Sequence, residues 1–95
     1  MKSYVIFLVE EVTDRQMLSA YQQKARPTVE PAGGKVIVAY GRQRLLEGDP
    51  LKGVVVIEFP DYEAAEAWYE SRSYQDAAAM RHQGARCQVV MVEGR

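Results

Sequence analysis

Apolar and polar residues fall into two regimes along the chain. Residues 3–9, Ser-Tyr-Val-Ile-Phe-Leu-Val, are almost wholly apolar and rich in β-branched and aromatic side chains. A short run of this kind predicts a strand buried on both faces, and therefore central in its sheet. Polar residues then interrupt. Thr13-Asp14-Arg15-Gln16 has the form of a capping box, in which Thr13 takes an early helix amide and Gln16 reaches back. Leu18, Tyr21, Ala25 and Val29 follow at helical spacing and define one apolar face. Pro27 has no N–H and disfavours helix at Arg26, so the pattern predicts a kink or break there. A last turn should precede Gly33-Gly34, whose paired glycines permit a left-handed cap.

A second strand is predicted from Lys35 to Arg42, with Gly41 marking a bulge or bend and residues 43–47 continuing at an angle. Gly48-Asp49-Pro50 is turn chemistry. Residues 53–59 form a third strand, again nearly continuous in apolar side chains. Pro60-Asp61 ends it, with Asp61 as N-cap of a helix carrying Ala64, Ala65, Ala67, Trp68 and Tyr69. Ser71-Arg72-Ser73 interrupts that helix. Ser73 with Asp76 reads as a new cap for a helix through Met80 to about Gln83, closed by Gly84. Residues 86–92 read as the last strand.

The order is β-α-β-β-α-β, with the second helix in two pieces. It predicts an α+β, ferredoxin-like sandwich: a four-stranded antiparallel sheet with its helices on one face. That leaves an accounting problem. Strand one presents Val5, Phe7 and Val9 on one face and Tyr4, Ile6 and Leu8 on the other. Strand three presents Val55, Ile57 and Phe59 against Val54 and Val56. An uncovered apolar sheet face is a large patch that monomers avoid. The expected solution is a homodimer, sheet face against sheet face.

Composition narrows the functional classes. Ninety-five residues, 47% hydrophobic and 26% charged, make a single domain spanning residues 1–95. Twelve basic and 13 acidic residues give a net charge of −1, which argues against nucleic acid and membrane surfaces as partners. One cysteine excludes an intrachain disulfide, and one histidine excludes the usual zinc sites. The first apolar run stops at Glu10-Glu11, too short for a signal peptide. No window reaches the ~18 apolar residues of a membrane span. With the lone Cys87, this reads as a cytoplasmic protein. Gly33-Gly34 ends a helix rather than starting one, so it is no phosphate loop. No nucleophile triad, metal or other cofactor is implied.

Several segments resemble a known family. They are Leu46-Glu47-Gly48-Asp49, Val55-Val56-Ile57-Glu58-Phe59-Pro60, Ala64-Ala65, Ala67-Trp68-Tyr69 with Ser71 and Tyr74, and Val92-Glu93-Gly94, together with Pro27, Gly33-Gly34 and Gly41. In combination they resemble the DUF1330 family of small bacterial proteins, over essentially the whole chain. The resemblance implies a dimeric α/β barrel, in a superfamily that also holds small monooxygenases and muconolactone-isomerase-like enzymes. It implies no particular reaction, because the family carries no established activity. Pro50 stands where the family commonly has an aromatic residue, and where a basic residue often directly precedes the third strand this chain has Lys52 followed by Gly53.

The candidate chemistry is sparse. His82 stands alone near a helix end and reads as a surface residue. Cys87, in an apolar strand, reads as buried and inert. Glu58 shares a face with Val54 and Val56 in a central strand, where a carboxylate needs a partner or a raised pKa. It is either an ion-paired structural residue or a pocket acid or base. Tyr74 and Arg81 lie two turns apart on one helix face, with Ala77 and Ala78 between them leaving space. With Tyr69 they suggest a cleft for an anion or planar ring, Arg81 being the fixed cation. The opposing reading packs Tyr74 in the core under a snorkelling Arg81. Trp68 reads as core. Tyr40 and Arg42 share a strand face that, with Tyr21, can border a space under the first helix.

The catalytic candidates are therefore Glu58, Arg81 and Tyr74, and the ligand-binding candidates are Tyr40, Tyr69, Tyr74 and Arg81. Whether the protein is an enzyme stays open. One reading is a cofactor-free enzyme or binder of a small organic anion. The alternative is a non-catalytic interaction or regulatory dimer module.

Overall fold

The computed structural model describes residues 1–95. Strand β1 spans Ser3–Val12, helix α1 Arg15–Val29, strand β2 Lys35–Ala39 and strand β3 Gly53–Phe59. Helices α2, Tyr62–Glu70, and α3, Arg72–Gly84, lead into strand β4, Ala85–Glu93. The strands form one antiparallel sheet in the order β2-β3-β1-β4, with β1 and β3 central. This is the ferredoxin-like α+β fold that the element order predicts. None of its helices is long and apolar enough to cross a membrane.

Alternation along β1 separates the two sheet faces. Val5, Phe7 and Val9 are buried against the helices, whereas Tyr4, Ile6 and Leu8 are only half-buried on the outer face. The main core joins Val5, Phe7, Ile57 and Phe59 to Ala65, Trp68, Tyr74, Ala77 and Ala78. Trp68 packs 4.1 Å from the ring of Tyr74, centroid to centroid, and its indole N–H donates to Thr28 Oγ1 at 2.9 Å. The one polar atom of the largest core side chain is thereby satisfied. Ala77 and Ala78 are fully buried, so these small residues let α3 close on its neighbours rather than open a cleft.

The helix caps differ from expectation in two places. The N-cap of α1 is Asp14, not Thr13: one Asp14 carboxylate oxygen accepts from the amides of Gln16 and Met17 at 3.0 and 3.1 Å. The amides of both Thr13 and Asp14 donate to Gly84 O, at 2.9 and 3.1 Å, which ties the start of α1 to the end of α3. The N-cap of α3 is Ser71, not Ser73. Its hydroxyl donates to Trp68 O at 2.7 Å and accepts from the Tyr74 amide at 3.2 Å. One side chain thus closes α2 and opens α3. Asp61 caps α2 as expected, accepting from the Ala64 amide at 2.7 Å.

Pro27 does not break α1, which continues to Val29 and ends in a 3-10 turn over Glu30–Ala32 with Gly33 left-handed at φ 86°. The carbonyl left without its helical partner is that of Gln23, which is exposed, so water meets it. Strand β2 is shorter than predicted. It ends at Ala39, and residues 43–47 add no strand.

Asp14→Ala should cost about 1 kcal/mol in a denaturant melt, whereas Thr13→Ala should stay within about 0.5 kcal/mol of zero. The reverse ranking would return the cap to Thr13.

Candidate functional site

Helix α1 packs chiefly on α3 rather than on the sheet. The inner face of β3 and the short edge strand β2 is therefore left partly uncovered. The resulting cavity, about 500 Å³, lies between α1 and the sheet. Its wall is mainly apolar, with Phe7, Tyr21, Val55 and Trp68 among the lining residues, and Arg81 completes it. No carboxylate and no imidazole lines it.

Arg81 is the unusual member. It is 3% exposed, yet it has no carboxylate partner. Its guanidinium carbon sits 5.6 Å from the ring centroids of both Phe7 and Tyr21, which supply cation–π attraction in place of an ion pair. Two of its nitrogens, Nε and Nη2, are fully buried without a hydrogen-bond partner. The polar groups nearest it are the hydroxyls of Tyr74 and Tyr21 and the thiol of Cys87. Orphaned charged donors are rare in native interiors, because each forfeits its hydration.

The two tyrosines satisfy each other. Tyr21 and Tyr74 share a hydroxyl–hydroxyl hydrogen bond of 2.9 Å, with their rings edge to face at 6.2 Å. Tyr74 is fully buried and does not line the cavity; Tyr21 does. Burial, then the Tyr74 hydroxyl, pushes the Tyr21 phenol well above its ordinary range. Burial likewise raises Tyr74 and Tyr40, and it raises the Cys87 thiol. The tyrosines and Cys87 therefore stay protonated near neutrality.

A pH dependence of stability follows. These phenols hold their protons in the fold past the pH of about 10 at which the unfolded chain releases them. Their raised values keep stability intact below pH 10 and withdraw it as pH climbs through the folded values. The melting temperature should fall steeply above about pH 10. A flat profile to pH 11 would contradict the buried, protonated pair.

At the mouth stands Tyr40, the one non-glycine residue with positive φ, at 55°. Its ring covers Gly53 so closely that a Cβ there would collide with it. Its amide donates to Val54 O at 3.0 Å, and Gln22 Nε2 donates to its hydroxyl at 3.3 Å. These contacts hold a backbone conformation that costs a tyrosine about 1–2 kcal/mol.

The candidate residues thus separate. Arg81, Tyr21 and Tyr40 meet at the cavity, with Tyr74 behind Tyr21. Glu58 does not join them. It lies on the outer sheet face, cross-strand from Tyr4, and pairs with Lys2 Nζ at 3.2 Å near the surface. A clamp between Glu58 and Arg81 is excluded because the sheet lies between them. Tyr69 packs on Tyr74 at 5.4 Å and borders a separate recess beside Arg81 and His82, not the cavity. His82 is exposed, and so is Arg42, which does not reach the site. Cys87 is only half-buried and reaches the cavity wall. Sequence reasoning missed it, and it missed Gln22 and Phe7 as lining residues. Phe7 was legible only as core, since nothing in the sequence shows α1 standing off the sheet.

The sequence matches the family described as "Domain of unknown function (DUF1330)" over residues 2–95. No protein of curated function matches it significantly. The fold is similar to that of a protein of unknown function from Rhodopseudomonas palustris. That pair is 18% identical with a TM-score of 0.78, over 99% of this chain and 82% of the other. A dimeric ferredoxin-like protein of unknown function from Jannaschia sp. CCS1 aligns at 14% identity and TM-score 0.70, covering 99% and 100%. SnoaB, a cofactor-independent oxygenase from Streptomyces nogalater, aligns at 12% identity and TM-score 0.64, covering 99% and 92%. At such identities the likeness concerns the fold.

Proposed function

We propose, for a chain that belongs to the DUF1330 family, that the cavity beside Arg81 binds a small organic anion. The observation that carries this reading is the buried, unpartnered Arg81 at the wall of an apolar cavity. A permanent cation in that place needs an anion, and the chain offers none. Tyr21 supports the same anion as a protonated donor, Tyr74 positions Tyr21, and Tyr40 covers the mouth. Glu58 takes no part.

The cavity wall has no general base, so the anion arrives already ionised. No chemical step is assigned to the site. The oxygenase among the structural neighbours supports a cofactor-free pocket only by fold-level analogy.

The protein works as a homodimer. Ile6, Val56 and Val90 form an apolar patch across β3, β1 and β4 on the outer sheet face, the surface that a second copy would cover. The dimeric ferredoxin-like neighbour supports that assembly.

Native mass spectrometry of the purified protein tests both parts. It should record a dimer, with an added small mass that disappears in Arg81→Met. If no mass is retained and no organic acid in a screening panel raises the melting temperature, the anion reading fails.

A further inference from the structure

Resting on the anion reading above, we infer that the ligand is the carboxylate of a planar aromatic acid, held edge-on by Arg81 with its ring inside the cavity. The first support is the identity of the orphaned atoms. Nε and Nη2 are the buried Arg81 nitrogens without partners, and they occupy one edge of the planar guanidinium. Their N–H bonds on that edge run nearly parallel, at the spacing that meets both oxygens of one carboxylate.

The second support is charge. Arg81 is the one buried cation at the cavity, and Arg26, the other arginine lining it, is exposed. A single enclosed cation balances a monoanion. A phosphate monoester brings between about 1.5 and 2 negative charges and a third oxygen, with nothing buried here to meet them.

The third support is the tyrosine pair. Either hydroxyl can be the donor in the Tyr21–Tyr74 hydrogen bond, and Tyr21 is the member that lines the cavity. With Tyr74 as donor, the Tyr21 hydrogen is free for a carboxylate oxygen beside Arg81. The wall chemistry completes the argument. Phe7, Tyr21 and Trp68 line the cavity, with Tyr40 at its mouth. Flat rings gain most from contact with such walls. A volume of about 500 Å³ accepts a one- or two-ring acid.

Calorimetric titration of the full-length protein with naphthoate, acetate, inorganic phosphate and naphthalenemethanol tests this. Naphthoate should bind about tenfold or more tighter than each of the other three. Arg81→Lys, which replaces the fork by a point charge, should weaken naphthoate about tenfold; Tyr21→Phe should weaken it several-fold. Should either variant fail to fold, the four ligands on the unaltered protein still decide. If acetate or phosphate binds as tightly as naphthoate, the aromatic acid is overturned and the anion reading stands. If naphthalenemethanol matches naphthoate, or if no acid binds, both fall. Unchanged naphthoate affinity in a folded Arg81→Lys protein overturns the edge-on grip.

Discussion

Arg81→Met should raise the melting temperature of the ligand-free protein by about 5–15 °C, while it removes the anion site. Burying a guanidinium costs several kcal/mol even after relaxation. Here no carboxylate offsets that cost: the ion-paired carboxylates, Glu10, Glu11 and Glu58, are engaged with Arg86 and Lys2 instead. The faces of Phe7 and Tyr21 return about 1–2 kcal/mol each. Methionine keeps the unbranched apolar stem and places no charge in the core. It strands no partner either, because Tyr21 and Tyr74 are hydrogen-bonded to each other. The net gain is about 1–2 kcal/mol, which a domain of this size converts to roughly 4–8 °C per kcal/mol. Differential scanning calorimetry on ligand-stripped protein reads it directly. A fall of more than about 5 °C would make Arg81 a structural residue and remove the main argument for a site.

The unpaired burial of Arg81 is where sequence and structure parted. The strands were legible because their apolar runs are long and β-branched. Residues 53–59 match β3 end to end, and β1 runs only three residues beyond its predicted end. Asp61 was legible as a cap because a single candidate precedes that helix. Where two candidates lay close together, at Thr13 and Asp14 or Ser71 and Ser73, spacing alone did not separate them. Gly84 O accepts from the amides of both Thr13 and Asp14, a contact across the fold, whereas Ser71 is fixed locally by its hydroxyl bond to Trp68 O three residues back.

Some residues of the candidate site were legible one by one, but their arrangement was not. Helical spacing placed Tyr74 and Arg81 on one buried face, and period two placed Glu58 on the face of Val54 and Val56. Placing Glu58 and Arg81 on opposite sides of the sheet also required knowing which face the helices cover. Tyr69 adjoins Tyr74 in space but belongs to the recess on the far side of Arg81. Tyr40 borders the cavity for a different reason than expected. It shapes the mouth through its own positive φ and its fit over Gly53, and Gly41 makes no close contact there.

Val90→Glu should convert the dimer to a folded monomer at micromolar concentration. Val90 lies on the outer face of β4, cross-strand from Ile6, which in turn faces Val56 on β3. In the isolated chain Val90 is 49% exposed, so a carboxylate there stays hydrated and the core is undisturbed. Covered by a second sheet, the same carboxylate would be desolvated in an apolar surround. That costs several kcal/mol, enough to dissociate a standard interface of about 1,200–2,000 Å². Sedimentation velocity should show the shift in mass, and circular dichroism should show an unchanged fold. The cavity opens on the opposite face of the sheet, between α1 and β3, so anion affinity should survive in the monomer. A variant that remains dimeric would place the interface elsewhere. A monomer that has lost its ligand would mean that the second copy helps to build the site.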